Sequence, residues 1–124
     1  MDMTDIQMGV IESRFADMIW EREPITAAEL AKLSEQTLKW KKTTSYTVLK
    51  RLCEKGIFKN ENGKVTSLIS RERFYSLRSE RFVDDAFEGS LPAFLAAFTS
   101  GKRLTEEEVD YLRRMVAAYD KEER

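Results

Sequence analysis

The stretch KKTTSYTVLKRLCEKG, residues 41 to 56, decides the fold, because it sorts into two contrasting faces when it is read as a helix. One face is small or apolar at the spacing i, i+3, i+4, i+7 and consists of Ser45, Val48, Leu49 and Leu52. Another face at the same spacing offers hydroxyls, an aromatic ring and an ammonium, and consists of Thr43, Tyr46, Thr47 and Lys50. A helix that is buried on one side and basic and hydroxyl-rich on the other has the physical form of a DNA recognition helix.

The distribution of charge along the chain supports this interpretation more than the net charge does. The net charge is −1, which by itself is unfavourable for binding a polyanion. Lys41, Lys42 and Arg51 flank the hydroxyl-rich face, and no Asp or Glu occurs over residues 36–53. Residues 104–124, by contrast, hold seven acids and four bases. A basic surface is therefore predicted to be segregated from an acidic remainder.

Composition excludes several classes of protein. A chain of 124 residues with 42% apolar and 35% charged residues is typical of a globular protein with one domain, or one domain and an accessory segment. It has no apolar run long enough to cross a bilayer and no pattern of a signal peptide, so we expect a cytoplasmic protein without membrane contact. Cys53 is the only cysteine and histidine is absent, which argues against a metal site, a cofactor or a nucleophile–histidine enzyme.

Capping and breaking residues predict two helices before the quoted stretch. The first runs over about residues 9–22 and ends before Pro24. Thr26 and Glu29 have the spacing of a capping box, which predicts a second helix from residue 27 to about residue 36. The same spacing occurs upstream in Thr4 and Gln7.

A β-hairpin is predicted directly after the recognition helix. Gly56 is placed to cap the end of that helix, and Asn62-Gly63 is a typical hairpin turn because both residues tolerate positive φ. The hairpin should span about residues 57–69. Three helices followed by a two-stranded hairpin are a winged helix-turn-helix, so the fold class is mainly α with a small β-hairpin.

Three further helices are predicted after Ser70, over about residues 71–88, from Pro92 to Gly101, and from residue 106 to near the end. This segment is too short to close a good core around so many large apolar residues, and a second copy of the chain is the economical cover. We therefore predict a DNA-binding domain over residues 1–70 and a three-helix dimerisation region over residues 71–124. The predicted dimer interface consists of Phe74, Leu77, Phe82, Phe87, Leu91, Phe94, Leu95, Phe98, Leu112, Met115 and Val116.

The strings WKKTTSYTVLKRLCEKG (40 to 56) and IWEREPITAAEL (19 to 30) resemble the penicillinase-repressor family (BlaI/MecI/CopY), and the likeness extends from about residue 8 to residue 119. FEGSLPAFLAAF (87 to 98) is similar to the start of the family's dimerisation region. The resemblance implies a homodimeric repressor that binds a palindromic operator in double-stranded DNA. Together, the helix face and the resemblance give as DNA-binding residues Lys41, Lys42, Thr43, Thr44, Tyr46, Thr47, Lys50 and Arg51 of the helix, and Asn62, Gly63 and Lys64 of the wing.

Two departures from the family pattern concern the release of DNA. Antibiotic-responsive members are cleaved at an Asn-Phe bond, and the matching bond here is Ala97-Phe98. Copper-responsive members carry a Cys-x-Cys pair near the C-terminus, and this chain has none there. The inducer is therefore open between a protease and a small molecule.

Two other functions are compatible with parts of the sequence. A winged-helix module that binds protein rather than DNA would share the fold, but the carboxylate-free face over residues 36–53 argues against it. A small hydrolase that uses carboxylates would need acids set in an apolar pattern, and the sequence has no such pattern.

Overall fold

The computed structural model describes residues 9–122, and within them the chain forms six helices and three short strands. In chain order these are α1 (Val10–Arg22), β1 (Ile25–Thr26), α2 (Ala27–Leu38), α3 (Lys42–Glu54), β2 (Phe58–Glu61), β3 (Lys64–Ser67), α4 (Arg71–Phe87), α5 (Leu91–Gly101) and α6 (Glu106–Glu122). The predicted fold class is confirmed: a mostly helical chain contains a winged helix followed by further helices.

The first two helices begin and end where the sequence predicts. Helix α1 ends at Arg22, two residues before Pro24, while the spacing of Thr4 and Gln7 lies outside the described residues. At the start of α2, the Glu29 N–H donates to Thr26 Oγ1 at 3.0 Å, and the Thr26 N–H donates back to Glu29 Oε1 at 3.2 Å. Hydrogen bonds from Thr26 lower the pKa of the exposed Glu29 carboxyl, with the bond from the threonine hydroxyl as the main cause. The predicted capping box is confirmed.

Helix α3 ends in a backbone motif that requires a left-handed residue. The Ile57 N–H donates to the Leu52 carbonyl at 3.2 Å, and the Gly56 N–H donates to the Cys53 carbonyl at 3.0 Å. These two bonds make a Schellman motif with Gly56 at φ 83°. The chain therefore reverses from the recognition helix into the wing at the glycine that the sequence singles out.

The sheet has one strand more than the sequence predicts. Its order is β1-β3-β2, all antiparallel, with Ile25 opposite Val65 and Phe58 opposite Ser67. Strand β1 contains only two residues, which is too short for an alternating pattern to be recognised. Its pairing ties the linker between α1 and α2 to the hairpin.

One apolar core joins α1, α2, α3, the sheet and the start of α4. Its fully enclosed large side chains are Phe15, Ile19, Leu30, Leu52, Ile57, Phe58, Val65 and Phe74. Trp20 packs against this core and donates its indole N–H to the Ile69 carbonyl at 3.0 Å. Phe74 is completely buried among these residues, so it belongs to this core and not to a dimer interface, contrary to the sequence prediction. Leu77 is half-buried against the same core.

Side chains also cap the starts of the three C-terminal helices. The Ser70 hydroxyl accepts the Arg73 N–H at 3.0 Å, and the Ser90 hydroxyl accepts the Ala93 N–H at 3.1 Å. Thr105 and Glu108 form the last capping box, and their hydrogen bonds lower the pKa of Glu108. The chain divides into two compact units, of which one ends at Arg81 and the other begins at Phe82. Along residues 9–122 none of the helices is both long enough and apolar enough to cross a membrane.

Candidate nucleic-acid interface

Helix α3 presents the two faces that its sequence predicts. The inner face is buried, with exposed fractions of 2% for Ser45, 7% for Val48, 3% for Leu49 and 0% for Leu52. The outer face is exposed and consists of Lys42, Thr43, Thr44, Tyr46, Thr47, Lys50 and Arg51. Burial of the apolar stripe fixes the rotation of the helix about its own axis. The hydroxyls and ammonium groups therefore point to solvent.

The N-terminus of α3 is suited to an anion. Lys41 is the N-cap residue with extended backbone (φ −70°, ψ 153°), and no side chain caps this end. No acidic residue occurs in the first turn, where Lys42 adds a positive charge. Backbone N–H groups at a helix N-terminus and the helix dipole both favour a phosphate there. The N-terminal end of α3 is therefore electropositive.

One hydroxyl of the outer face already forms a hydrogen bond within the helix. Thr47 donates its hydroxyl hydrogen to the Thr43 carbonyl at 2.9 Å, which leaves its oxygen lone pairs and its methyl group available. Tyr46 is 38% exposed, and the Lys42 ammonium lies 6.0 Å from the centre of its ring. In this arrangement Thr47 can accept a hydrogen bond or contact a thymine methyl.

The cations of the site fall into two groups. Lys41, Lys42, Lys50 and Lys64 are exposed, and within residues 9–122 none of them forms an ion pair. Arg51 differs, because its Nη1 lies 3.2 Å from Glu12 Oε2 on α1. Four lysine charges per chain are thus available to a polyanion, whereas the arginine charge is already compensated.

The wing is a tight hairpin whose tip is held from two sides. Asn62 (φ 54°) and Gly63 (φ 87°) both have positive φ, as a type I′ turn requires. The Gly63 N–H donates to Asn60 Oδ1 at 3.0 Å, and its carbonyl accepts the Ala27 N–H at 2.7 Å. The tip is therefore attached to the first residue of α2. In the wing, Lys59 pairs with Glu61 at 2.9 Å, which leaves Lys64 as the unpaired cation.

Two features of this surface are absent from the sequence prediction. Strand β1 and its neighbour Ala27, which hold the wing, give no periodic signal. Glu12, which holds Arg51, comes 39 residues earlier in the chain and has no motif that would connect the two. Both features arise from tertiary packing.

Apolar side chains are exposed in the second unit. Their exposed fractions are 54% for Phe82, 56% for Leu91, 40% for Leu95, 43% for Phe98, 53% for Met115 and 68% for Val116. Phe87, Phe94 and Leu112 are half-buried, and the ring centres of Phe87 and Phe94 are 5.5 Å apart. An open, mainly apolar pocket of about 290 Å³ lies between α5 and α6 beside Phe94, Phe98 and Leu112. The Ala97-Phe98 bond lies inside α5.

In the described part of the chain, the other side chains that could be reactive or bind a metal do not form a site. The Cys53 thiol is half-buried, and burial, with a smaller effect of the Glu54 charge, raises its pKa. Residues 9–122 contain no cluster of cysteine, aspartate and glutamate side chains that could hold a metal ion.

Comparisons with known proteins agree on one family. The family model described as "Penicillinase repressor" matches residues 8–118. The chain is 26% identical over 110 residues to a penicillinase repressor of Bacillus licheniformis, an alignment that covers 86% of this chain and 86% of that protein.

Proposed function

Because this chain belongs to the penicillinase repressor family of DNA-binding transcriptional repressors, we propose that it acts as a homodimer on a palindromic operator. The recognition helix over residues 41–56 would read the major groove, and the wing over residues 57–69 would lie along the phosphate backbone. Bound to a promoter, the dimer blocks access to it. The family is a class of regulators rather than of enzymes.

The observation that carries this proposal is the outer side of α3. It combines an uncapped helix N-terminus, exposed hydroxyls and three lysines without ion pairs in the described part of the chain, Lys41, Lys42 and Lys50. Unpaired ammonium groups neutralise phosphates and release counterions, which supplies most of the affinity of a DNA-binding protein. The proposed DNA contacts are made by Lys41, Lys42, Thr43, Thr44, Tyr46, Thr47, Lys50, Arg51, Asn62, Gly63 and Lys64.

Dimerisation is supported by the apolar surface of the second unit. Side chains such as Met115 and Val116 are more than half exposed in the single chain, and the open pocket between α5 and α6 is lined mainly by apolar side chains. Many exposed large apolar side chains within one short segment favour an interaction site, and one self-complementary patch serves both partners of a symmetric dimer. We propose DNA binding by residues 1–70 and dimerisation by residues 71–124, with Phe74 assigned to the core.

A dimer places two recognition helices in the geometry that a palindrome requires. Half-sites one helical turn apart need the two helices about 34 Å from each other on one side of the duplex. Each tethered wing would then follow the backbone beside its own half-site. The fixed connection between the Gly63 carbonyl and the Ala27 N–H supports a wing that is oriented before DNA binds.

DNA binding is tested by selection from a pool of random 30-base-pair duplexes, followed by fluorescence anisotropy with the enriched duplex at low and moderate salt. Enrichment of a sequence with inverted-repeat symmetry is the expected result. If the protein enriches no duplex, the proposal fails, and a winged-helix module that binds protein becomes the better interpretation.

Dimerisation is tested separately by sedimentation velocity of Val116→Lys. Val116 is 68% exposed on α6, and burying an ammonium in an apolar interface should convert the dimer to a monomer. Ala118→Lys is the matched control, because it lies about 200° round the same helix from Val116. A wild-type chain that sediments as a monomer would contradict the dimer.

A further inference from the structure

An acid from another helix holds the Arg51 guanidinium, whereas within residues 9–122 the lysines of the predicted recognition surface form no ion pair. Arg51 Nη1 lies 3.2 Å from Glu12 Oε2, and the two residues are 39 positions apart in the chain. The arginine side chain is 49% exposed and the glutamate side chain is 23% exposed. The carboxylate is thus the more enclosed partner, and about half of the arginine side chain remains accessible.

The carboxylate belongs to the first turn of its own helix. Glu12 lies in the first turn of α1, where the helix dipole favours a negative charge. While the ion pair with this partly enclosed carboxylate is formed, it restricts the rotamers that Arg51 can adopt.

Arg51 also continues a row of side chains along α3. Thr43, Thr47 and Arg51 follow one another at a spacing of four residues, so they lie along the same side of the helix. A guanidinium has five N–H donors, of which the contact with Glu12 engages one. The remaining donors, on a side chain that is half exposed, can still form a paired contact with an acceptor such as guanine O6 and N7.

We propose that Glu12 is a positioning residue that orients Arg51 to read a guanine in the major groove, an inference that rests on the proposed function. The ion pair lowers the non-specific attraction of Arg51 for phosphates, because its charge is already compensated. Because the ion pair already restricts the side chain, Arg51 loses less conformational entropy when it contacts a base. Glu12 therefore lowers the non-specific affinity for DNA and increases the discrimination among DNA sequences.

The test compares Glu12→Gln with Asp17→Asn. Asp17 is the matched control, since it lies on the same helix and pairs with Arg71 at 2.9 Å on α4, away from the recognition helix. Both substitutions remove one negative charge and one exposed ion pair. The probes are the duplex that the wild-type protein enriches from a random pool and a scrambled duplex of the same base composition.

For Glu12→Gln we expect the ratio of affinities for the two duplexes to fall about tenfold, within the discrimination given by one paired arginine–guanine contact. Affinity for the scrambled duplex should stay equal or rise. Asp17→Asn should keep the wild-type ratio. In Arg51→Lys the ratio of affinities should fall as well, because an ammonium cannot make the paired contact. Adding Glu12→Gln to that variant should not lower the ratio further.

Two results would overturn the inference while leaving the proposed function intact. One is an unchanged ratio in Glu12→Gln. The other is an equal fall of the ratio in Asp17→Asn, which would make the loss a general effect of removing a surface ion pair. A wild-type protein that enriches no duplex would instead remove the proposed function, and this inference with it.

Discussion

Replacement of Lys50 by alanine should reduce the salt dependence of DNA binding by a calculable amount. Four lysines per chain, Lys41, Lys42, Lys50 and Lys64, make no ion pair in the described residues, so a dimer offers about eight contacts to phosphates. At about −0.9 per contact, the slope of log K against log salt is about −7. Lys50→Ala removes two contacts per dimer and should bring the slope to about −5.4.

The same arithmetic gives the loss of affinity. If the two affinities converge near 1 M salt, the variant binds about 60-fold more weakly than wild type at about 0.1 M. Fluorescence anisotropy with a labelled duplex over a series of salt concentrations measures both quantities. Lys121→Ala is the control, because it removes an equal charge from an exposed position on α6. A wild-type slope near zero, or the same slope in Lys50→Ala and wild type, would refute the reasoning.

Three further predictions concern stability and reactivity. Leu52→Ala should cost about 2–5 kcal/mol in the free energy of unfolding, because it opens a cavity in a core where Leu52 is 0% exposed, and urea denaturation measures this. Thr26→Ala should cost about 1 kcal/mol, whereas Thr37→Ala, an exposed site on the same helix, should cost much less. Because the Thr26 hydroxyl lowers the pKa of Glu29 below its ordinary value of 4.5, the stability from this pair is present above that pH and lost as the pH falls through the lower value. Melting curves should therefore show the gap between wild type and Thr26→Ala narrowing only in acid; a gap that widens there would contradict the capping account. Alkylation of Cys53 by iodoacetamide at pH 8 should be slower than that of free cysteine, since burial raises the pKa of the thiol, and a faster reaction would contradict this.

Local signals in the sequence were sufficient for most helix boundaries. Thr26 with Glu29, and Gly56 after α3, each act within a few residues, so the pattern of neighbouring positions predicts them. The outer face of α3 was equally accessible, because burial of the stripe that includes Leu52 determines which side is exposed.

Features that depend on tertiary packing were not predictable in the same way. Strand β1 has two residues and exists because β3 pairs with it. Phe74 has the same apolar character as Phe82, yet Phe74 is enclosed by the core while Phe82 is 54% exposed, and no local pattern separates them. Glu12 meets Arg51 only after α1 has packed in the fold.

The most direct test of the central claim is the change in backbone amide chemical shifts when a DNA duplex is added to the ¹⁵N-labelled protein. We expect the largest changes over residues 42–51 of α3 and 62–64 of the wing, with smaller changes over residues 91–122. Large changes confined to residues 91–122, with α3 and the wing unaffected, would contradict the claim that the basic side of α3 binds DNA.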